Sequence, residues 1–350
     1  MNGFGARLAS ARKMAGMSMQ QLADATENAI SKQAISKYEK GKMFPASDIL
    51  IALAKALGVK PDYFYRDPHV KLTGLEFRKK SRLSVKDETR VKYQTLDFLE
   101  RCTEIEGVMG LPGKFDNPLD GLVIKNREDV ERAAQALRQA WNIGAGPVSK
   151  LMELLETKGV RILEADLPDM FDGLSAMADG IPVVTVNKNY PLVRKRLTLI
   201  HELGHQLLLF KGCDQRQIEA LCHNFANAFL IPAEAIFEEL GTHRRNISLM
   251  ELKKLKGVYG ISILALMVRA KNLGIISEGY YNRFFILANQ QGWRSGKVQE
   301  PGQYIGLEKP NRFRQLVERA VAEEIISLSK GAELRNIGLA EFRKEFQLAA

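Results

Sequence analysis

The sequence predicts a mainly α-helical chain with a small β-sheet: an all-α unit at the N-terminus, an α+β unit in the middle and a helical C-terminal region. Three observations carry that prediction. Residues 1–66 hold short apolar stretches at helical spacing, two of them behind a capping serine. Residues 160–163 and 181–187 have the β-branched content of strands. Residues 194–210 read as an amphipathic helix that contains His201-Glu202-Leu203-Gly204-His205.

The N-terminal unit begins with Phe4, Leu8 and Ala11 on one helical face and Arg7, Arg12 and Lys13 on the other. Ser18 is placed to cap the next helix, with Gln21 completing a capping box. Ser31 is placed to cap a third over residues 32–39. After Gly41 and Pro45, the residues Ile49, Leu50, Leu53, Ala54 and Leu57 mark a fourth, closed by Gly58. Two short helices joined by a tight turn, the second rich in Lys, Gln and Ser, describe a helix-turn-helix. The pattern S-x-Q-Q-L-A … I-S-K-Y-E-K-G-K … P-x-x-x-x-L-x-x-L-A-x-x-L-G-V resembles the Cro/lambda-repressor (XRE) class over nearly all of residues 4–66. That resemblance implies that Gln20, Lys32, Gln33, Ser36 and Lys37 face DNA. Gln33 suits a bidentate contact to adenine, and the lysines suit guanine or phosphate. A helix-turn-helix also serves protein contacts in some chains. Here ten Lys and Arg against six Asp and Glu in residues 1–70 favour DNA.

Residues 69–127 say least, and are expected to be a helical linker. Asp67-Pro68 interrupts the preceding unit, and residues 78–82 are a basic run that suits a solvated face. Residues 86–106 read as a long helix with Leu96, Phe98 and Leu99 inward, followed by a turn-rich stretch over 109–118.

The α+β unit is expected over residues 128–240. Helices are predicted at 128–141 and 147–158, with a short strand or turn at 171–176. On the helix that follows, His201 and His205 at i and i+4 project from one face, as two corners of a zinc tetrahedron require. Glu202 then stands where a general base takes a proton from water. Two histidines on an apolar helix also occur as plain core or capping residues, but the chain has five in all, and a third, His223, follows closely. Residues 217–232 give a further helix, apolar at Ile218, Leu221, Cys222, Phe225 and Phe229 and stopped by Pro232. Glu219 lies at the edge of that stripe, where a carboxylate without a partner is costly. It is the preferred third ligand, with His223 on the same face as a supporting residue or the alternative ligand.

The arrangement R-x-x-L-T-L-I-H-E-L-G-H, a short gap, then E-x-x-C-x-x-F-A-x-x-F-L-I-P resembles the ImmA/IrrE zinc metallopeptidases. The resemblance extends to L-R-x-x-W and to D-G-L-S-A … V-N. It implies a zincin-like fold, zinc held by His201, His205 and Glu219, and Glu202 as catalytic base. The chain departs from the pattern at His223, where many relatives have Asn; here Asn224 is shifted by one.

Residues 241–350 read as helices at 249–258, 261–273, 280–291, 313–329 and 339–346, with G-W-R and E-K-P elements between the third and fourth; no chemistry is assigned to them. The net charge of +10 favours an acidic partner, duplex DNA first. Three cysteines at no metal-like spacing suit a reducing cytoplasm, and no apolar run is long enough to span a membrane. The expected whole is a homodimeric, cytoplasmic regulator that binds an operator and cleaves an XRE-type repressor, or itself, to control stress-response or mobile-element genes. Two other readings are a transcription factor whose peptidase-like unit is a non-catalytic sensor, and an antitoxin-like regulator.

Overall fold

The computed structural model describes residues 3–27, 29–66, 72–77, 84–111, 113–167 and 171–349. Asp67-Pro68, the basic run 78–82 and His69 lie outside the described residues. The fold is mainly α with a small sheet, and begins with α1 (Gly3–Met14), α2 (Met19–Ala25), α3 (Lys32–Glu39), α4 (Ser47–Leu57) and a 3-10 turn, Pro61–Tyr65. Ser18 and Gln21 form the expected capping box, Ser31 caps α3 through the Ala34 N–H, and Gly58 ends α4 in the left-handed region at φ 65°. Phe4, Leu8, Leu22, Ile35, Leu53 and Phe64 close one small core. The α1 and α3 backbones meet at Gly5, where a Cβ would stand 2.5 Å from the Glu39 carbonyl oxygen. Arg12 donates to both Glu39 carboxylate oxygens at 2.6 and 2.8 Å and fixes α3 against α1.

Helix α5 (Val85–Val108) is a strut between the units. Its inward stripe is Val91, Thr95, Phe98, Leu99, Cys102 and Ile105; Leu96, expected inward, is only half-buried because it falls beside the stripe. Its middle turns meet α1, through Arg7 to Glu100 and Lys13 Nζ to the Tyr93 hydroxyl at 3.0 Å. Between those two positions, the Thr95 and Thr185 hydroxyls bond at 3.0 Å across to the sheet.

The strands are β1 (Leu72–Phe77), β2 (Val123–Ile124), β3 (Arg161–Ala165), β4 (Gly173–Ala178), β5 (Ile181–Asn187) and β6 (Leu209–Phe210). Four of them form a sheet of order β1-β4-β5-β3, while β2 and β6 make a separate parallel pair. Strands β4 and β5 are an antiparallel hairpin turned at Asp179-Gly180, both at positive φ as a two-residue hairpin turn demands. Strand β3 runs parallel to β5. The sequence reading did not anticipate β1, an isolated edge strand whose pairing depends on a distant partner.

Around the sheet come α6 (Arg127–Ala140), α7 (Leu151–Thr157), α8 (Leu192–Leu207), α9 (Gln215–Leu230), α10 (Ala233–Leu240), α11 (Leu249–Tyr259), α12 (Ile263–Asn272) and α13 (Glu278–Gln290). One apolar cluster runs from Leu119 to Ile276 and packs the helices on each other and on β5. Helix α7 starts later than the sequence suggested, because Lys150 takes φ 50° and cannot continue a helix backwards. Helices α14 (Arg312–Ala322), α15 (Leu328–Leu334) and α16 (Leu339–Ala349) close a third cluster with Ile105. The single helix expected over 313–329 is two, broken where Glu324 takes φ 58°.

Candidate metal centre

Helix α8 buries Leu199, Ile200, Leu203 and Leu207 in the main core, with His201 and Glu202 buried as well. Helix α9, capped by an Asp214–Gln217 capping box, buries Cys222, Phe225 and Phe229. The two helices come together at Gly204, between the two motif histidines. A Cβ there would stand 3.1 Å from the Phe225 ring and 3.5 Å from the Cys222 sulfur. The absence of a side chain at Gly204 therefore lets α9 bring Glu219 over the histidine face.

Three donor atoms converge at that point. His201 Nε2 and His205 Nε2 are 3.0 Å apart, and the Glu219 carboxylate is 3.5 Å from the first and 3.4 Å from the second. Tetrahedral zinc with bonds of about 2.0–2.1 Å sets its ligand atoms roughly 3.3–3.4 Å apart. The set has the spacing of one tetrahedral face, and its chemistry, two imidazoles and a carboxylate, suits zinc with a fourth position open. His223 also faces inward, its ring centroid 4.3 Å from that of His201. Ligand atoms of His201, Glu219 and His223 all lie within 4.8 Å of one another, a looser grouping than the first. Glu219 belongs to both sets. The tighter spacing favours His205 as the third member and leaves His223 beside the His201 ring. Asn224, the shifted asparagine, is directed elsewhere: its Oδ1 accepts from Asn272 Nδ2 at 3.0 Å.

Glu202 sits on the same helix turn as His201. The Ser175 hydroxyl donates to Glu202 Oε2 at 2.9 Å, both residues being buried. Sequence reasoning gave Ser175 no role; its only signal was its place in the D-G-L-S-A element.

The base of α8 is fixed from the C-terminal region. Arg196 is fully buried and donates to the carbonyl oxygens of Val148, Tyr259 and Gly260, to the Tyr304 hydroxyl and to Glu308. The other Glu308 oxygen accepts the Met152 N–H at 3.0 Å, at the start of α7. The E-K-P element thus supplies the carboxylate that compensates a buried arginine on the histidine helix. Nearby, Glu156 accepts the N–H groups of Asn311 and Arg312 at 2.8 and 3.1 Å, and burial pushes its carboxyl up to about 7.

On the N-terminal unit, Lys32, Gln33 and Lys37 are exposed, Ser36 is half-buried, and Ile35 and Tyr38 fill the core behind them. Gln20 is exposed on α2, its amide donating to Asp24 Oδ1 at 2.9 Å. The contacts of α1 with α5 leave this face of α3 in solvent.

Comparison with known families gives two matches. Residues 8–64 match the helix-turn-helix family model, and residues 155–271 match that of the IrrE N-terminal-like domain, a peptidase family. Neither curated proteins nor solved structures give a match to the chain. Among the described residues no helix is long and apolar enough to cross a membrane.

Proposed function

We propose, for a chain that fuses an XRE-type helix-turn-helix domain to an IrrE-like peptidase-family domain, a DNA-binding regulator whose second domain is a zinc endopeptidase. The observation that carries this reading is the convergence of His201, His205 and Glu219 at 3.0–3.5 Å beside a Glu202 held by Ser175. Zinc bound by those three residues would polarise a peptide carbonyl and make water a stronger acid at neutral pH. Glu202 takes the proton from the attacking water and passes it to the leaving amine, with Ser175 fixing one carboxylate oxygen. His223, against the His201 ring, keeps that imidazole in place.

The substrate class is an extended polypeptide segment, with an XRE-type repressor or a second copy of this chain as the first candidates and stress-response or mobile-element genes as the output. Gln20, Lys32, Gln33, Ser36 and Lys37 read the operator. A homodimer sets two α3 helices about 34 Å apart on a near-palindrome. A DNA target is consistent with work in the cytoplasm.

Elemental analysis of the purified chain, with incubation against XRE-type repressors, tests the proposal. One zinc per chain is expected, lost in Glu219→Ala and held roughly 10–100-fold more weakly in His223→Ala. Full zinc in Glu219→Ala and none in His223→Ala would reverse the ligand assignment. Bound zinc with no cleavage of any repressor would favour the sensor reading.

A further inference from the structure

Strand β4 runs beside the catalytic motif. A Cβ on Gly173 would stand 2.9 Å from Thr198 Cγ2, and Ser175 bonds Glu202. Two residues along the strand thus match four along α8. Two strand residues rise about 6.6–6.8 Å and four helical residues about 6 Å. Strand and helix therefore advance together toward the histidines. One side of β4 is filled by β5 through their hairpin. Its other edge is the place where an extended polypeptide would pair as an added strand alongside Glu202.

That edge is occupied by the chain itself. Strand β1 pairs antiparallel with β4 in the register Leu72 with Ala178, Thr73 with Met177, Glu76 with Ser175 and Phe77 with Leu174. The residue opposite Ser175, which holds the catalytic carboxylate, is thus Glu76. Strand β1 is contributed from far upstream in sequence, between α4 and α5, and among the described residues no further strand pairs beyond it. Its pairing is interrupted: the register shifts between Thr73 and Glu76, around Gly74-Leu75. A bulge of that kind leaves ladder groups unpaired and weakens the hold of an edge strand.

We propose that residues 72–77 are an inhibitory strand in cis, occupying the β4 edge at which an extended substrate pairs, so that a substrate segment must displace them to reach Glu202. The proposal rests on the peptidase reading above and adds to it the location of the substrate and the block on it. The held strand competes at the high effective concentration of any intramolecular partner, while its bulge keeps it displaceable.

The test uses the full-length chain carrying Glu202→Gln, so that bound peptide is not cut, with and without replacement of residues 72–77 by a Gly-Ser segment of equal length. The probe is a capped, dye-labelled peptide of the sequence Leu-Thr-Gly-Leu-Glu-Phe, followed by fluorescence anisotropy and by amide hydrogen exchange at residues 173–178. The replaced chain should bind the peptide roughly tenfold or more tightly than the chain with β1 intact. Exchange at 173–178 should speed up on replacement and slow again when peptide is added. Equal binding by the two chains, absence of binding by the replaced chain at millimolar peptide, or binding that leaves 173–178 unprotected each overturns the proposal. Should the replaced chain fail to fold by circular dichroism, Glu76→Pro carries the test with the same outcomes, because proline cannot donate to a ladder. Zinc content and repressor cleavage are separate measurements. Their failure removes the peptidase reading, whereas failure here leaves that reading standing and removes only the inhibitory strand.

Discussion

In α3 the exposed residues Lys32, Gln33 and Lys37 follow one another along a single helix, and the side that carries them needs only Ile35 and Tyr38 behind it. The residues of the candidate metal centre have no such proximity. His201 and His205 share α8, but Glu219 arrives on α9, Ser175 on β4, and the counter-charge for Arg196 comes from Glu308 after α13. The contrast follows from what each surface would have to do under the proposed function. A face that reads a solvated polyanion works in water, and its long side chains can adjust to the groove. A centre that holds a metal and moves a proton needs fixed donors in a low dielectric, and burying such groups costs free energy unless each finds a partner. The exposed face is built locally; the buried one requires most of the domain.

Glu202→Gln gives the largest effect on this contrast. The amide keeps the shape and can still meet Ser175 but accepts no proton, so turnover of a cleaved repressor should fall about 10²–10⁴-fold with zinc content unchanged. Undiminished cleavage would mean that a different group is the base, and that the burial of Glu202 serves packing alone.

Next in size is a cut far from the histidines in sequence. Glu308→Ala leaves Arg196 buried without its carboxylate, and removing one partner of a buried ion pair costs about 3–5 kcal/mol. Urea unfolding of the region spanning α8 should register it, together with weaker zinc binding. A loss below about 1 kcal/mol, typical of exposed pairs, would break the claim that the centre depends on the C-terminal region.

A pH effect sharpens the same point. Burial raises the Glu156 carboxyl to about 7, against the N–H groups of Asn311 and Arg312 that pull it down. The folded chain therefore binds this proton more tightly than the unfolded chain, whose Glu titrates at about 4.3. The stabilisation is complete below about pH 4.3 and is lost as pH rises through about 7. Glu156→Gln should remove that decline, giving on the order of 3–4 kcal/mol more stability than the wild type above pH 8, read as Tm against pH. Parallel profiles for the two chains would place the carboxyl in effective contact with solvent.

The smallest effects belong to the exposed face. Gln33→Ala should relax preference at one base position per half-site by about 1–3 kcal/mol, with no change in melting temperature. Lys37→Ala should weaken all duplexes alike and reduce the salt slope by about 1. Gel shifts across the chain's own promoter would measure both. Failure to bind any duplex at low salt would make this face a protein-contact surface.

Several features were legible in the sequence because their causes are local. The caps at Ser18 and Ser31, the glycine closing α4 and the apolar stripes of α8 and α9 depend on neighbours within a turn or two. The i, i+4 spacing of His201 and His205 likewise places them on one face of whatever helix forms. Even the pairing of Glu219 with them could be anticipated, because an acid on an apolar stripe needs a partner. The tertiary structure alone decided the rest. Gly204 reads as helix-breaking until α9 crosses it; Ser175 is an unremarked hydroxyl until β4 lies along α8. The E-K-P glutamate has no visible purpose until it reaches Arg196. Strand β1 was missed altogether, since an edge strand with a glycine and a bulge has little local preference and exists through the partner it pairs with. Local periodicity states which face of an element is apolar; which element covers that face, and which charge or backbone edge must then be satisfied, is set by contacts between residues far apart in the chain.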